Sequence, residues 1–357
     1  MHPYLEAGAP KFRARYGGSL PHCTGADRNA RTGEGRALHA MRVSVLVTTY
    51  NQADFIEEAI ASLLSQDHGP CEIIVVDDGS TDNTVRRARA FERHGVTVIA
   101  KGNQGVSHSM NLAMSLANGD AFVIQSGDDA STADRVSQQV AALADPGTDI
   151  VISTPNLIDA AGNALPDTHS AVFFRDVDVS DEVALFKSLF YDGNFICAPS
   201  VAMKRQVATQ VGRFHEGLLQ LQDYDYWMRA ASLGLGFRML PQRVVNYRLH
   251  AGNLSSPDSN TRLSRELTRT LRSVAARASI GLMLRILYEE HEGFNLSAAG
   301  AEVLAALLLL RHDRADAKQV GFEILIDVLD GACGPDVGLG EFGLDRAAIF
   351  SLLNAPA

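Results

Sequence analysis

From Val43 onward the chain alternates short apolar, β-branched runs with longer segments of helical spacing. Val43–Thr49 (VSVLVTT) is a nearly continuous apolar run, the pattern of a parallel strand covered on both faces. Ala53–Gln66 then places Phe55, Ile56, Ala59, Ile60, Leu63 and Leu64 at helical spacing. Ile73–Val76 is a second buried strand. Ser80 and Thr81 offer an N-cap for a helix reaching about Arg93, and Gly95 ends it before a third strand at Val96–Ala100. Gly105–Ala117 reads as a helix closed by Asn118-Gly119, and Ala121–Ile124 as a fourth strand. This βαβαβαβ succession predicts a parallel sheet with right-handed crossovers. A further strand at Ile150–Ser153 suggests that the sheet continues in mixed form, and strands at Phe237–Leu240 and Val244–Leu249 follow. Helices at about Glu182–Phe190 and Tyr224–Ser232 and a turn at Gly162-Asn163 accompany them.

The pattern divides the chain into three regions. Residues 1–40 hold scattered Arg, Gly and Pro without apolar periodicity, so disorder is expected there, and Met41, directly before the first strand, is a candidate start. Residues 41–256 carry the α/β pattern. Residues 257–357 are mostly helical, with apolar-periodic segments near 260–290, 297–312 and 315–331. The most apolar stretch, Val303–Leu310, is interrupted by Glu302, Arg311 and His312, which marks a buried helix rather than a bilayer span. No secretory apolar core opens the chain.

Composition adds exclusions. With 46% hydrophobic and 21% charged residues in 357, the chain affords a globular core. A net charge of −10 argues against a sequence-independent grip on nucleic acid, which needs a basic face, but not against a phosphate-bearing small ligand. The four cysteines (Cys23, Cys71, Cys197, Cys333) form no CxxC pair and read as free thiols of a reducing, cytoplasmic compartment, with Cys71 and Cys197 in the core.

In an open α/β sheet, ligands sit beyond the carboxyl ends of the strands. Here the first strand ends in Thr48-Thr49-Tyr50-Asn51 and the second in Asp77-Asp78-Gly79-Ser80. The third is followed by Asn103-Gln104-Gly105, and the fourth by Ser126-Gly127-Asp128-Asp129. Each alone is ordinary turn or capping chemistry. Together they bring several carboxylates to one edge, where mutual repulsion calls for a cation or ligand. No GxGxxG or GxxxxGK loop follows the first strand, which disfavours dinucleotide and ATP-type sites.

The runs VSVLVTTYNQADFIEEAIASLLSQ, EIIVVDDGSTDNT, NQGVSHSMNLAMSLANGDAFVIQSGDD, NFICAPSVAMKRQVATQVGRFHEGLLQLQDYDYWMRAASLG and VVNYRLHAGNLSS resemble family 2 of the glycosyltransferases over about residues 42–256. The resemblance implies the GT-A fold, a Rossmann-like architecture with a mostly parallel central sheet, here followed by a C-terminal helical extension. It implies an inverting enzyme that moves a sugar from a nucleotide-diphosphate donor such as a UDP-sugar. The acceptor is a saccharide, lipid-linked or other hydroxyl, in polysaccharide or glycoconjugate biosynthesis. Thr49, Tyr50, Asn51, Asp77, Asp78, Gly105, Ser126, Gly127 and Asp128 fall at donor-binding positions, Tyr50 with a flat face for the base. Ser126-Gly127-Asp128-Asp129 occupies the family's Asp-x-Asp position, so Asp128 is the expected ligand of a divalent cation, Mn²⁺ or Mg²⁺. His250 is a second candidate ligand, and it or Arg248 is a candidate phosphate contact.

Gln222-Asp223-Tyr224-Asp225 resembles the family's catalytic segment and makes Asp223 the expected general base. Asp225 reads as structural, and Trp227 as core or acceptor platform. Three departures stand out: Ser126 and Gln222 where acids are usual, and Met110 where an Arg is common, with His108 as its substitute. They motivate an alternative, a catalytically weakened or inactive nucleotide-sugar- or glycan-binding protein of the same fold. A nucleotidyltransferase would want a basic phosphate loop, which TTYNQAD is not. The helical tail can pack on the rest of the protein, form a homo-oligomer, or lie peripherally on a membrane; burial is the default for apolar helical faces.

Overall fold

The computed structural model describes residues 41–253, 260–288 and 298–330. The expectations for residues 1–40, Leu254–Ser256, Cys23 and Cys333 lie outside these residues. In chain order the elements are β1 (Val43–Thr49), α1 (Ile56–Leu64), β2 (Glu72–Asp77), α2 (Thr84–Arg89), β3 (Thr97–Ala100), α3 (Val106–Leu116), β4 (Ala121–Ser126) and β5 (Ala130–Ser131). Next come α4 (Arg135–Leu143), β6 (Ile150–Ser153), β7 (Asn156–Ile158), β8 (Ala164–Leu165), α5 (Glu182–Lys187), β9 (Ala202–Lys204), α6 (Arg205–Val211), α7 (Gln222–Ser232), β10 (Phe237–Leu240) and β11 (Val245–Arg248). Four helices follow: α8 (Asn260–Ala275), α9 (Ile280–Tyr288), α10 (Ala298–Leu310) and α11 (Ala315–Asp330).

A seven-stranded sheet runs β10-β6-β9-β4-β1-β2-β3. β4, β1, β2 and β3 are parallel, β10 is parallel to β6, and β9 is antiparallel to both β4 and β6. Every residue of the central β1 is buried, as its unbroken apolar run requires. Alternation along the strand sends Leu46 into one core with Met110, Phe186, Phe190 and Trp227, and Val45 and Val47 into the other with Ile56, Ile60 and Val136. The first core also takes in Leu271, Val274, Leu282, Leu304 and Leu325 from the C-terminal helices, so those apolar faces are spent inside the protein. No described helix is long and apolar enough to cross a membrane. A small sheet, β5-β11-β7-β8, lies after the fourth strand.

Two helices and one cysteine depart from the sequence expectation. α2 starts at Thr84 rather than after Ser80-Thr81, because residues 79–81 are held in a loop. Asp77 accepts from the backbone of Gly79 (3.0 Å) and Ser80 (2.9 Å), and Asn51 Oδ1 accepts from Thr81 N (2.8 Å). Asp82 accepts from Thr84 N at 2.9 Å and holds the turn into the helix, whose N-cap, Asn83, makes no side-chain cap bond. The helix also stops at Arg89, and a separate 3₁₀ turn, Glu92–His94, leads to Gly95. The helix expected to reach Phe190 ends at Lys187 and widens into a π-turn over Ser188–Asp192. Cys71, expected in the core, is half-buried and packs against the edge of one core; Cys197 is buried as expected.

Candidate active site

The carboxyl ends of β1, β2 and β4 are knitted to one another. Asp78 N donates to Thr49 O (2.9 Å), Gly127 N to Thr48 O (3.0 Å) and Lys101 N to Asp77 O (3.1 Å). Thr49 Oγ1 donates to Gln52 Oε1 at 2.8 Å. Gly127 packs on that pair so closely that a Cβ there would sit 2.6 Å from both oxygens, which is why glycine occupies the position. Asn51 adopts a left-handed backbone (φ 50°), tolerable for asparagine, and its N–H donates to Ser80 Oγ at 2.8 Å. Tyr50 is 46% exposed at the rim, its ring open to a stacking partner.

The two second-strand carboxylates are both engaged. Asp77 closes the 79–80 turn and also bonds the Ser80 hydroxyl. Asp78 pairs with Lys101 and accepts from Gln104 N and Gly105 N, both at 2.9 Å. Asp78 thereby draws the loop after β3, with Gly105 at φ +91° heading α3, onto the end of β2.

At the end of β4, Asp128 faces His250, with Oδ2 3.0 Å from Nε2. Arg248, expected as a possible phosphate contact, points inward instead. Its Nε donates to Asp128 O (2.9 Å), its Nη1 toward Asp159 O (3.2 Å) and Ala160 O (3.3 Å), and its Nη2 to Glu58 (2.6 Å). The guanidinium also covers the Phe55 ring, which in turn contacts the His250 ring at 4.8 Å between centroids. Asp129 neither caps the next helix, whose N-cap is Asp134, nor points outward. It accepts from Arg248 N at 2.8 Å, and its other carboxylate oxygen is buried without a partner among the described residues. Burial, reinforced by the neighbouring Asp128 charge, raises its carboxyl well above the usual range. Phe55 and Glu58 went unnoticed in the sequence because they sit in an ordinary helical pattern, and Glu58 meets its partner 190 residues away.

The donor set at this point decides whether a divalent cation fits. Asp128 and His250 bring one oxygen and one imidazole nitrogen together. Among the described residues, no group of three or more His, Cys, Asp or Glu converges as a complete cage. A hard cation is commonly held by one or two side chains, with phosphate and water completing its shell, and the pair fits that mode.

Asp223 lies in the first turn of α7. Tyr224 N donates to its Oδ1 (2.8 Å) and Asn194 Nδ2 to its Oδ2 (3.0 Å). Among the described residues no cation pairs with it. Desolvation pushes the carboxyl up to about 6, against the smaller lowering by those hydrogen bonds. The buried Cys197 thiol feels both Asp129 and Asp223, so the two carboxylates flank one region. Gln222 Oε1 is buried without a partner among the described residues. Asp225 is structural: at 1% side-chain exposure it pairs with Arg229 (2.8 Å) and His215 (3.0 Å). Trp227 is fully buried core rather than an acceptor platform. Met110 is also core, and His108 does not substitute at the donor site. It lines a cavity with Phe122, Arg205 and Arg213, alongside the first half of β4 and away from Ser126.

The family model of "Glycosyl transferase family 2" matches residues 44–212. An uncharacterized glycosyltransferase of Rickettsia conorii is 30% identical over 231 residues, 61% of this chain and 36% of that protein. One of Methanocaldococcus jannaschii is 23% identical over 214 residues, 58% of this chain and 70% of that protein. The chain thus spans about a third of the Rickettsia relative's length. S. aureus TarS 1–349 in complex with UDP-GlcNAc superposes with a TM-score of 0.55 at 19% identity, covering 81% of each chain. The mannosyltransferase PcManGT from Pyrobaculum calidifontis in complex with GDP-Man and Mn²⁺ gives 0.51 at 20%, covering 88% of this chain and 84% of that one. At these identities the structural likeness speaks for the fold, which is GT-A.

Proposed function

We propose that this chain, whose residues 44–212 match the family 2 glycosyltransferase model, moves a sugar from a nucleotide-diphosphate donor to an acceptor hydroxyl, inverting the anomeric centre. The observation that carries the reading is Asp223. It is a desolvated carboxyl without a cationic partner among the described residues, raised to about 6, and the buried Cys197 thiol feels both it and Asp129. A base whose pKa lies near the working pH is ionised enough to act and basic enough to accept a proton.

The chemistry follows from that arrangement. Asp223 takes the proton of the acceptor hydroxyl as its oxygen attacks the anomeric carbon. The bond from that carbon to the diphosphate oxygen breaks, and its electron pair leaves with the nucleoside diphosphate. One base and one displacement entail inversion. Tyr50 offers its ring to the nucleotide base, beside the loop that Asn51 and Thr49 shape. Asp77 and Asp78, already bonded to their own loops, serve the donor mainly by shaping its cradle, with Gly105, Ser126 and Gly127 on its floor. Asp128 and His250 would hold Mn²⁺ or Mg²⁺, which when bound neutralises the diphosphate leaving group. A saccharide or lipid-linked acceptor in polysaccharide or glycoconjugate assembly fits this chemistry.

A thermal-shift panel of UDP-, GDP- and dTDP-sugars tests the reading, beginning with UDP-GlcNAc and GDP-Man, the ligands in the TarS and PcManGT structures. One base should raise the melting temperature, Mn²⁺ should enlarge the rise, and Asp128→Ala should remove the enlargement. No shift with any donor would refute the nucleotide-sugar assignment. An unchanged shift after chelation would refute the metal.

A further inference from the structure

α7, which carries Asp223, begins without a side-chain cap: its N-cap residue is Leu221, which makes no cap bond, and within the first turn Asp223 itself takes the N–H of Tyr224. A helix start inside a protein needs such partners. The segment that leads into it is held from the C-terminal helices. Glu266 of α8, only 7% exposed, accepts from three successive backbone N–H groups: Leu219 (3.1 Å), Gln220 (3.0 Å) and Leu221 (3.1 Å). Both carboxylate oxygens are used, so the segment entering the catalytic helix is fixed in position and direction. Nothing in the core requires an acid at this place; an apolar residue on α8 would pack as well but leave three N–H groups unpaired.

The other flank of Asp223 is tied down from the same helical region. Asn194, which donates to Asp223, orients its amide by accepting from Ile196 N at 3.1 Å. The π-turn just upstream is pinned where His312 Nε2 meets Phe190 O at 3.0 Å and Tyr191 OH meets Leu308 O at 3.4 Å. His312 Nδ1 accepts from Arg314 N at 3.1 Å, so Nε2 carries the proton that Phe190 O receives. Tyr224 OH bonds Leu189 O at 2.5 Å and joins the two flanks across α7.

We propose that Glu266 is a positioning residue for the Asp223 base, and that the C-terminal helices complete the active site rather than only covering the sheet. The inference rests on the assignment of Asp223 as the base. Glu266 touches neither donor nor acceptor; it acts through the backbone of residues 219–221, so its loss should misplace the base without loosening the nucleotide. Small misplacements of a reacting group are costly in rate.

The test uses the full-length protein with UDP-GlcNAc or GDP-Man and Mn²⁺. Release of nucleoside diphosphate is followed for the parent, Glu266→Gln, Glu266→Ala, Asp223→Asn and the Glu266→Gln/Asp223→Asn double variant. UDP or GDP binding is measured by calorimetry, and far-UV circular dichroism confirms folding. Glu266→Gln keeps the size and one acceptor oxygen, so it guards against a collapse of the alanine variant. The expected result is a kcat about tenfold or more below the parent in Glu266→Gln and lower still in Glu266→Ala. Donor KM and nucleotide Kd should stay within about twofold, since no donor contact is touched. The double variant should be no slower than Asp223→Asn. Folded glutamine and alanine variants with parental kcat would overturn the proposal. So would equal losses in kcat and nucleotide binding, or a double variant slower than Asp223→Asn by the full single-variant factor. An active Asp223→Asn protein would instead remove the base assignment itself.

Discussion

Asp223 is buried without a counter-charge among the described residues, and that has two consequences at the residue scale. Its carboxyl, at about 6 instead of 3.8, must ionise to accept a proton, so kcat should climb as pH rises through about 6. The same shift makes the charged form a liability to folding. Below about pH 4 the carboxyl is protonated whether the chain is folded or not; between 4 and 6 the folded protein holds a proton that the unfolded chain has lost. Stability from this group therefore falls across that window as pH rises. Asp223→Asn should melt above the parent at pH 7.5, with the gap closing near pH 4, in melting curves recorded across that range. Arg248 makes the opposite prediction: Arg248→Ala strips partners from Asp128 O, Asp159 O and Ala160 O and frees Glu58. Denaturant unfolding should show a loss of about 2 kcal/mol or more, with weaker Mn²⁺ stimulation. The motif around His250 made the Asp128–His250 meeting readable in the sequence. The inward turn of Arg248 was not, because its partners come from three separate parts of the chain.

At the scale of elements, the strands followed their apolar runs closely, since a doubly covered strand has little freedom to be anything else. The helices after β2 and β8 were less readable. Asp77, Asn51 and Asp82 use side-chain bonds to hold the residues that local propensity would have put into α2. The π-turn after α5 is fixed by tertiary partners, among them His312 and Tyr224. The loop joining β4 to β5 gives the sharpest element-level prediction. Gly127→Ala would drive a methyl to 2.6 Å from Thr49 Oγ1 and Gln52 Oε1, forcing the ends of β1 and β4 apart. A cost of about 1–3 kcal/mol in stability and a loss of nucleotide affinity should follow, read by unfolding and by calorimetry.

For the molecule as a whole, the parallel arrangement of the first four strands could be anticipated from the βαβ succession, whereas their order and the insertion of antiparallel β9 between β4 and β6 could not, because pairing partners leave no local mark. The place of the C-terminal helices was equally hidden: their periodicity showed an apolar face but not what it covers. Leu271, Val274, Leu282, Leu304 and Leu325 share one core with Leu46 of the central strand. A chain ending at residue 256 would lay that core open, and the expected outcome is aggregation or loss of the cooperative melting transition. The central claim, that this molecule transfers sugar from a nucleotide donor by means of Asp223, is tested most directly by one measurement. Nucleoside diphosphate release from UDP-, GDP- and dTDP-sugars is followed with Mn²⁺ at pH 7.5 for the parent and Asp223→Asn. The account predicts release from one donor class by the parent, slowed about 10²–10⁴-fold in the variant. Equal release by the two proteins, or none from any donor by the folded parent, would contradict it.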